Sequence, residues 1–540
     1  MKSEKKSNQT PANRLTRRSF VKTVAATTVA AAGAPCGLHA KTQRPTKKPN
    51  ILLLFSDQHQ ADCIGFQNHP DVITPNLDRL ARSGTIFERA YCQDGVCVPS
   101  RMSLITGLYP RRLGLLHNPD KSSVIDEVVS LQSVLKDSGY HTAAFGKRHL
   151  KGSADLGWDY HRSHIKRESP GNSYWEWIEQ QGYLDEFQRD WSAEFGGKYP
   201  TADLGTRISA LPESMTMEAF TAEETVKLIR EQKNHDKPFF CWSSFYRPHQ
   251  PYTALKRFLD MYDYSRWGRG TANGDAIKKP ATLNQSPECL PPALKDWHEG
   301  KNRVWRLDKA AKDEQLFRFY IASYYALVTE IDHHIGVIMK ALEEEGLLEN
   351  TIVVYTSDHG DFVGSHGMIE KCAIGHNVYE ETLRVPLIVS QPQRIERRQV
   401  IDDLVEVFDL YPTLLELADI KLPSTKHGVD ATSLAATLTG GTSAKRKYIV
   451  SENWSQATVI TEDHKLGIWL DPTEYAKGRD FRSYGDMFFD REKDPGEINN
   501  LIDNPEYSKV QEQLRGYFND FVRRIPATGK EEIVRRTKMS

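Results

Sequence analysis

Five short stretches of this 540-residue chain hold the residue types that do chemistry. Asp57-Gln58, Lys147-Arg148-His149, Arg247-Pro248-His249 and Asp358-His359 each follow an apolar run that reads as a strand. Carboxylates, imidazoles and amide oxygens are donors that divalent cations take, and histidines and lysines move protons and stabilise anions. The fifth stretch is Cys97-Val98-Pro99-Ser100-Arg101. Pro99 suits the first turn of a helix, where its missing N–H is no loss. Cys97 is thereby expected at a helix N-terminus, which attracts anions and depresses a thiol pKa, with Arg101 in the first turn as an anion clamp. Taken alone, such a cysteine reads more readily as a structural residue before a short helix.

These groups are far apart in the chain, so the elements between them must bring them together. Asn50–Phe55, His141–Phe145, Pro238–Phe245, Thr351–Thr356 and Pro386–Ser390 read as strands. Between them, Thr74–Ser83 (with Thr74 as N-cap), Leu131–Leu135, Met217–Gln232 and Leu316–Leu348 have helical spacing. The alternation predicts an α/β fold with a large, mostly parallel sheet sandwiched by helices. In such sheets ligands bind outside the carboxyl ends of the strands, where all four polar clusters fall.

From about residue 441 the pattern changes to short strands, Tyr448–Glu452, Ala457–Thr461, Lys465–Leu470 and Met487–Phe489, then an amphipathic helix over Val510–Arg524. The expected organisation is therefore a leader over 1–40, a catalytic domain over 41–440 and an α+β subdomain with an antiparallel sheet over 441–540. Residues 151–310 hold eight of the ten tryptophans and read as loops over a site.

With 39% hydrophobic residues and 10% aromatics, the chain can bury a sizeable core, which excludes global disorder. No apolar run approaches the roughly 18 residues of a membrane span. The net charge of −1 conceals a leader of +6, leaving −7 on the body, the wrong sign for nonspecific nucleic-acid binding. Thr16-Arg17-Arg18-Ser19-Phe20-Val21-Lys22, a weakly apolar stretch and Leu38-His39-Ala40 resemble a twin-arginine (Tat) export signal, so a periplasmic protein is expected. Ala34-Pro35 before Cys36 fits a lipid-anchoring site poorly. The spacing of the other six cysteines, 63, 92, 97, 241, 289 and 372, dictates no disulfide pairing.

Cys97-Val98-Pro99-Ser100-Arg101 resembles the C-x-P-S-R signature of type I sulfatases, in the alkaline phosphatase superfamily. The likeness extends in order through Pro75-Asn76-Leu77-Asp78, Thr106-Gly107-Leu108-Tyr109-Pro110, Gly146-Lys147-x-His149, Ser357-Asp358-His359-Gly360, Glu381-Thr382-Leu383-Arg384-Val385-Pro386, Phe489-Asp490 and Asp494-Pro495. It implies an alkaline phosphatase-like fold and a sulfuric ester hydrolase. It also implies that a maturation enzyme oxidises Cys97 to Cα-formylglycine. The aldehyde hydrate carries two hydroxyls on one carbon: one attacks sulfur and expels the alcohol, the other then loses its proton, so the carbonyl re-forms and sulfate leaves.

By the same resemblance, Asp57, Gln58, Asp358, His359 and modified Cys97 hold one divalent metal. Arg101 and Lys147 stabilise the hydrate, and His149 is the base for its second hydroxyl. His249 protonates the departing alcohol, with a neutral-range pKa suited to that work. Lys371 binds sulfate oxygens.

Two departures matter. Gln58 and His359 stand where many relatives have Asp and Asn, so the site has one carboxylate fewer and one imidazole more. Ca²⁺ is the first expectation and Mn²⁺ the alternative. The same pair resembles phosphonate monoester hydrolases and phosphodiesterases of this superfamily, but those lack the Lys147-x-His149 pair. An inactive sulfated-glycan-binding protein is the other alternative, and none of the key residues it should have lost is missing. The expected substrate is a sulfated carbohydrate. Trp175, Trp177, Trp191, Trp267, Trp297 and Trp305 are candidates to stack on sugars or to pack loops. Arg162, His164 and Arg247 are candidate anion or hydroxyl contacts, and His366 and His376 flank Lys371 as site or structural histidines.

Overall fold

A computed structural model describes residues 47–528, apart from 119, 165–167, 169, 194–203, 234, 287–312, 372–377, 443–444, 454–455 and 471–485. The leader, Cys289, Cys372, Trp297, Trp305 and His376 lie outside the described residues. In chain order the elements that frame the site are β1 (Asn50–Asp57), α1 (Pro75–Ser83), β2 (Thr85–Phe87), α2 (Cys97–Thr106), β3 (His141–Gly146) and β4 (Tyr160–Ser163). They continue with α3 (Met217–Gln232), β5 (Phe239–Pro248), α4 (Glu314–Glu344), β6 (Thr351–Ser357), β7 (Leu387–Ser390) and β8 (Gln399–Ile401).

The eight strands form one sheet in the order β8-β2-β7-β6-β1-β5-β3-β4. Central β1 pairs in parallel with β5 and β6, and β3 in parallel with β5 and β4. The sheet is mostly parallel, as expected, but β7 runs antiparallel to both β6 and β2. The described residues between β6 and β7 hold the site loop and two short helical turns, Ser365–Gly367 and Glu380–Leu383, and β7 returns antiparallel beside β6.

Strands in the middle of such a sheet are apolar on both faces, which is why they read as runs and not as alternations. Ile51, Leu53 and Phe55 of β1 pack with Met102, Leu104 and Ile105 of α2, while Leu52 and Leu54 pack with Leu77 and Leu80 of α1 and with Ile331 and Ile335 of α4. Each such side chain contributes about 1.5–3 kcal/mol by leaving water. The helix starting at Pro75 is present, but Thr74 does not cap it: its hydroxyl donates to Asp78 Oδ1 at 3.2 Å.

The C-terminal strands β9 (Ile449–Glu452), β10 (Gln456–Ile460), β11 (His464–Trp469) and β12 (Met487–Asp490) form a separate antiparallel sheet in sequence order. Helix α5 (Ser508–Arg524) lays Leu514, Phe518 and Phe521 against Val459, Leu466 and Phe488, and Tyr109 and Phe408 join the same cluster. Lys465, fully buried on β11, pairs with Glu380 at 2.7 Å and with Glu497, and so ties this sheet to the stretch leading into β7. Among the described residues no helix is long and apolar enough to cross a membrane.

Candidate active site

All five chemical stretches meet at one rim of the sheet. Asp57 is the last residue of β1, Lys147 follows β3, His249 follows β5 and Asp358 follows β6. Two glycines allow the chain to close in. A Cβ on Gly146, at φ +88°, would lie 1.9 Å from Ser244 O, and one on Gly360 would lie 1.9 Å from Glu381 O. Neither space admits a side chain.

Cys97 opens α2 as expected, with Val96 as N-cap and no capping side chain of its own. Asn118 does that work from twenty residues away: its Oδ1 accepts the Val98 N–H at 2.9 Å. Cys97 Sγ lies 3.3 Å from His359 Nε2, 3.8 Å from Lys147 Nζ and 3.9 Å from Asp57 Oδ1. Burial opposes a thiolate, but Lys147, Lys371 and His359 outweigh it and hold the thiol well below its ordinary pKa.

Arg101 is the strut of the site. Its Nε donates to Asp358 Oδ2 at 2.7 Å and its Nη2 to Asp57 Oδ2 at 2.8 Å. Its Nη1 donates to Lys147 O at 2.6 Å and to Ser244 Oγ at 3.0 Å. The guanidinium is wholly buried, 4.9 Å from the Phe55 ring centroid. It therefore grips protein carboxylates where the sequence suggested a clamp for a foreign anion. Lys147 adds a second cation, 2.5 Å from Asp57 Oδ2. Burial and Cys97 push the Asp57 pKa up, yet Lys147, His249 and Arg101 together hold it below the usual carboxylate range. Asp358 is raised, chiefly by burial and by the neighbouring Asp57.

Both Oδ1 atoms face the imidazole: His359 Nε2 lies 4.0 Å from Asp57 Oδ1 and 3.7 Å from Asp358 Oδ1, which also accepts the Gln58 and His359 backbone N–H groups at 3.0 Å. The other ring nitrogen, Nδ1, meets Gly360 O at 3.0 Å, which fixes the ring with Nε2 facing the thiol. Ligand atoms of Asp57, Cys97, Asp358 and His359 all lie within 4.8 Å of one another, and all four residues are buried. Two carboxylates, an imidazole and residue 97 at this spacing can hold a divalent cation.

Gln58 sits beside them in a left-handed conformation, φ +68°. Its Nε2 donates to Asp361 Oδ2 at 2.6 Å and to Tyr252 OH at 3.2 Å, so Oε1 turns the other way and accepts from Lys371 Nζ at 2.9 Å. Lys371 Nζ is also 3.4 Å from His249 Nε2. His249 lies 3.8 Å from Asp57 Oδ1, and Tyr246 stands edge-on to it at 5.1 Å and 5.0 Å from Lys147 Nζ. The neutral-range pKa expected of His249 is corrected: burial, then Lys147 and Lys371, push it down to about 4. His149 is half-buried at φ +56°, and its Nδ1 has no partner among the described residues.

The other candidates have partners within the protein. Arg162 pairs with Glu224 at 2.8 Å, and His164 Nε2 meets Thr221 Oγ1 at 2.9 Å. His366 Nδ1 meets Gln285 Oε1 at 2.5 Å and lies over Tyr379. Trp175, Trp177 and Trp191 pack in one cluster with Tyr174, Phe187 and Phe220, and Trp267 lies against Lys279 and Arg318. Sequence reasoning assigned no role to Asn118, Asp361, Tyr246 or Tyr252. Asp361 and Tyr246 carried a signal, since one closes the cluster that starts at Ser357 and the other opens the cluster that contains His249.

Known proteins give the arrangement its context. A family model described as Sulfatase matches residues 49–420, and one described as N-sulphoglucosamine sulphohydrolase, C-terminal, matches 364–523. An arylsulfatase of Clostridium perfringens is 30% identical over 495 residues, covering 87% of this chain and 93% of that protein. A Delta 4,5-hexuronate-2-O-sulfatase of Bacteroides thetaiotaomicron is 28% identical over 510 residues, covering 91% of each. The crystal structure of a phosphonate monoester hydrolase of Agrobacterium radiobacter shares the fold, with a TM-score of 0.71 at 21% identity over 88% of this chain and 96% of that one. A thiol-bearing helix start, buried carboxylates and gathered lysines on this sheet thus sit in a chain that belongs to the sulfatase family of the alkaline phosphatase superfamily, a sulfuric ester hydrolase.

Proposed function

We propose that this sulfatase is exported by the Tat machinery to the periplasm and removes O-sulfate groups from sulfated carbohydrate fragments. We further propose that it uses Cys97 converted to Cα-formylglycine by a maturation enzyme. The observation that carries the reading is the meeting of Cys97 Sγ with Asp57, His359 and Lys147 within 4 Å in a buried pocket. The carbohydrate is supported by the hexuronate sulfatase of similar length, and export by Arg17-Arg18.

Asp57, Asp358, His359 and residue 97 would hold the divalent cation, Ca²⁺ first and Mn²⁺ as the alternative, and Gln58 would join them by turning its Oε1 from Lys371. The cation supplies polarisation of the sulfate group, and the formylglycine hydrate supplies the attacking hydroxyl. Arg101 fixes both carboxylates, and Lys147 fixes Asp57 and holds its charge. Lys371 Nζ, facing the same space, offsets charge on the sulfate oxygens. His149 takes the proton that lets sulfate leave. His249 gives its Nε2 proton to the departing alcohol. Burial and two lysines favour the neutral ring beforehand, and an arriving anion would offset the lysines and let it carry the proton.

His249→Ala therefore slows alkyl or sugar sulfates by about 10²–10⁴-fold and activated aryl sulfates by less than about tenfold. Steady-state kinetics on both ester types reads the split, and equal losses remove the acid role. A second reading, a phosphonate monoester hydrolase or phosphodiesterase, is favoured by Gln58 and His359 alone. Turnover of an aryl sulfate against an aryl phosphodiester decides between them: a preference of more than about a hundredfold for the diester would overturn the sulfatase assignment of this site. Intact mass of the peptide containing residue 97 checks its conversion.

A further inference from the structure

Behind His249 lies a buried charged assembly that the chemistry above does not use. Arg247 Nη1 donates to His249 O at 3.2 Å and to Pro251 O, and Nη2 donates to Thr253 Oγ1 at 2.7 Å. One guanidinium thus holds three acceptors of the turn that presents the histidine. The Arg247 backbone N–H donates to Glu218 Oε1 of α3 at 3.2 Å. Next to it is a cavity with room for about one water, lined among others by Asp190, Thr216, Glu218, Arg247, Thr253 and Glu330.

Glu330 reaches this cavity from α4. It is 1% exposed, and its Oε1 has no partner among the described residues. Burial, followed by the Glu218 charge, pushes Glu330 up to about 8 against the pull of Arg247, with Thr216 and Glu213 also facing it. Asp190 is occupied by Ser209 and the Ala210 N–H. A buried carboxyl with a free oxygen, a second carboxylate and a guanidinium are costly to keep in a core. Their common neighbour is the His249 turn.

We infer that Arg247, backed by Glu218 and Glu330, is a positioning residue: it fixes the 247–253 turn so that His249 Nε2 stays aimed at the leaving group. This rests on the reading of His249 as the proton donor. A turn held by one rigid fork cannot be held the same way by lysine, whose ammonium serves fewer acceptors in a less fixed geometry.

The test is leaving-group dependence in Arg247→Lys, Arg247→Met and Glu218→Gln, with His249→Ala as reference and melting curves as the check of folding. Arg247→Met is expected to lower kcat on an alkyl sulfate by about 10–100-fold while an activated aryl sulfate loses under about threefold, with KM little changed. Arg247→Lys should recover part of the loss. Glu218→Gln, which preserves shape, should show the same selectivity on a smaller scale and stands in should the Arg247 variants not fold. If His249→Ala is selective and these variants lose both substrates equally or neither, the positioning role is wrong and the proton-donor reading survives. If His249→Ala itself is unselective, both fall together.

Discussion

Cys97→Ser loses sulfate ester turnover by about 10⁴-fold or more, the scale seen when a covalent nucleophile is removed. A serine hydroxyl in this pocket can attack once, but it has no second hydroxyl on the same carbon through which to expel sulfate. It also lacks the thiol on which the proposed maturation would act. The fold should survive. The change is nearly isosteric, and the Sγ contacts with His359, Lys147 and Asp57 are 3.3 Å and longer. Circular dichroism and the melting temperature should match the parent chain while initial rates on an aryl sulfate collapse. Parent-like turnover by Cys97→Ser would exclude the covalent scheme, and a collapsed fold would show instead that the thiol is structural.

The second large effect is on stability. Arg101→Met should cost about 3–5 kcal/mol, because removing one partner of a buried ion pair leaves the other charges uncompensated. The guanidinium bridges Asp57 at 2.8 Å and Asp358 at 2.7 Å, and all three side chains are fully shielded from water. Lys147 alone cannot replace it, since it touches Asp57 and not Asp358 through a short ion pair among those described. Urea unfolding gives the number directly. Arg101→Lys should be intermediate, for an ammonium lacks the fork that serves two carboxylates at once. A loss below about 1 kcal/mol for Arg101→Met would mean that the two aspartates are protonated or hydrated in the folded chain, and the charge assignment of the site would have to be rewritten.

Much of the fold was legible in the residues. The apolar runs that became β1, β5 and β6 announced themselves because a central parallel strand is buried on both faces. Met217–Gln232 was found with its ends correct, since Thr216 caps it locally by accepting the Ala219 N–H at 3.2 Å. Where the competing partner was near in sequence but differently aimed, the reading slipped: Thr74 looked like a cap and bonds Asp78 instead. The reversed direction of β7 had no local signature, because strand polarity depends on which neighbour the returning chain meets.

What the sequence by itself determined is the list of chemical groups and the strands that carry them, because composition, hydrophobic period and Pro or Gly at turns act over a few residues. What only the tertiary structure decided is what each group faces. Arg101 was a clamp for a foreign anion until Asp57 and Asp358 arrived from 44 and 257 residues away to occupy it. Gln58 acquired a direction only when Asp361 took its amide N–H, and Arg247 became the brace of a histidine turn only when Glu218 and Glu330 closed in behind it. Electrostatic and hydrogen-bond roles belong to pairs at about 3 Å, and that distance exists only after the chain has folded.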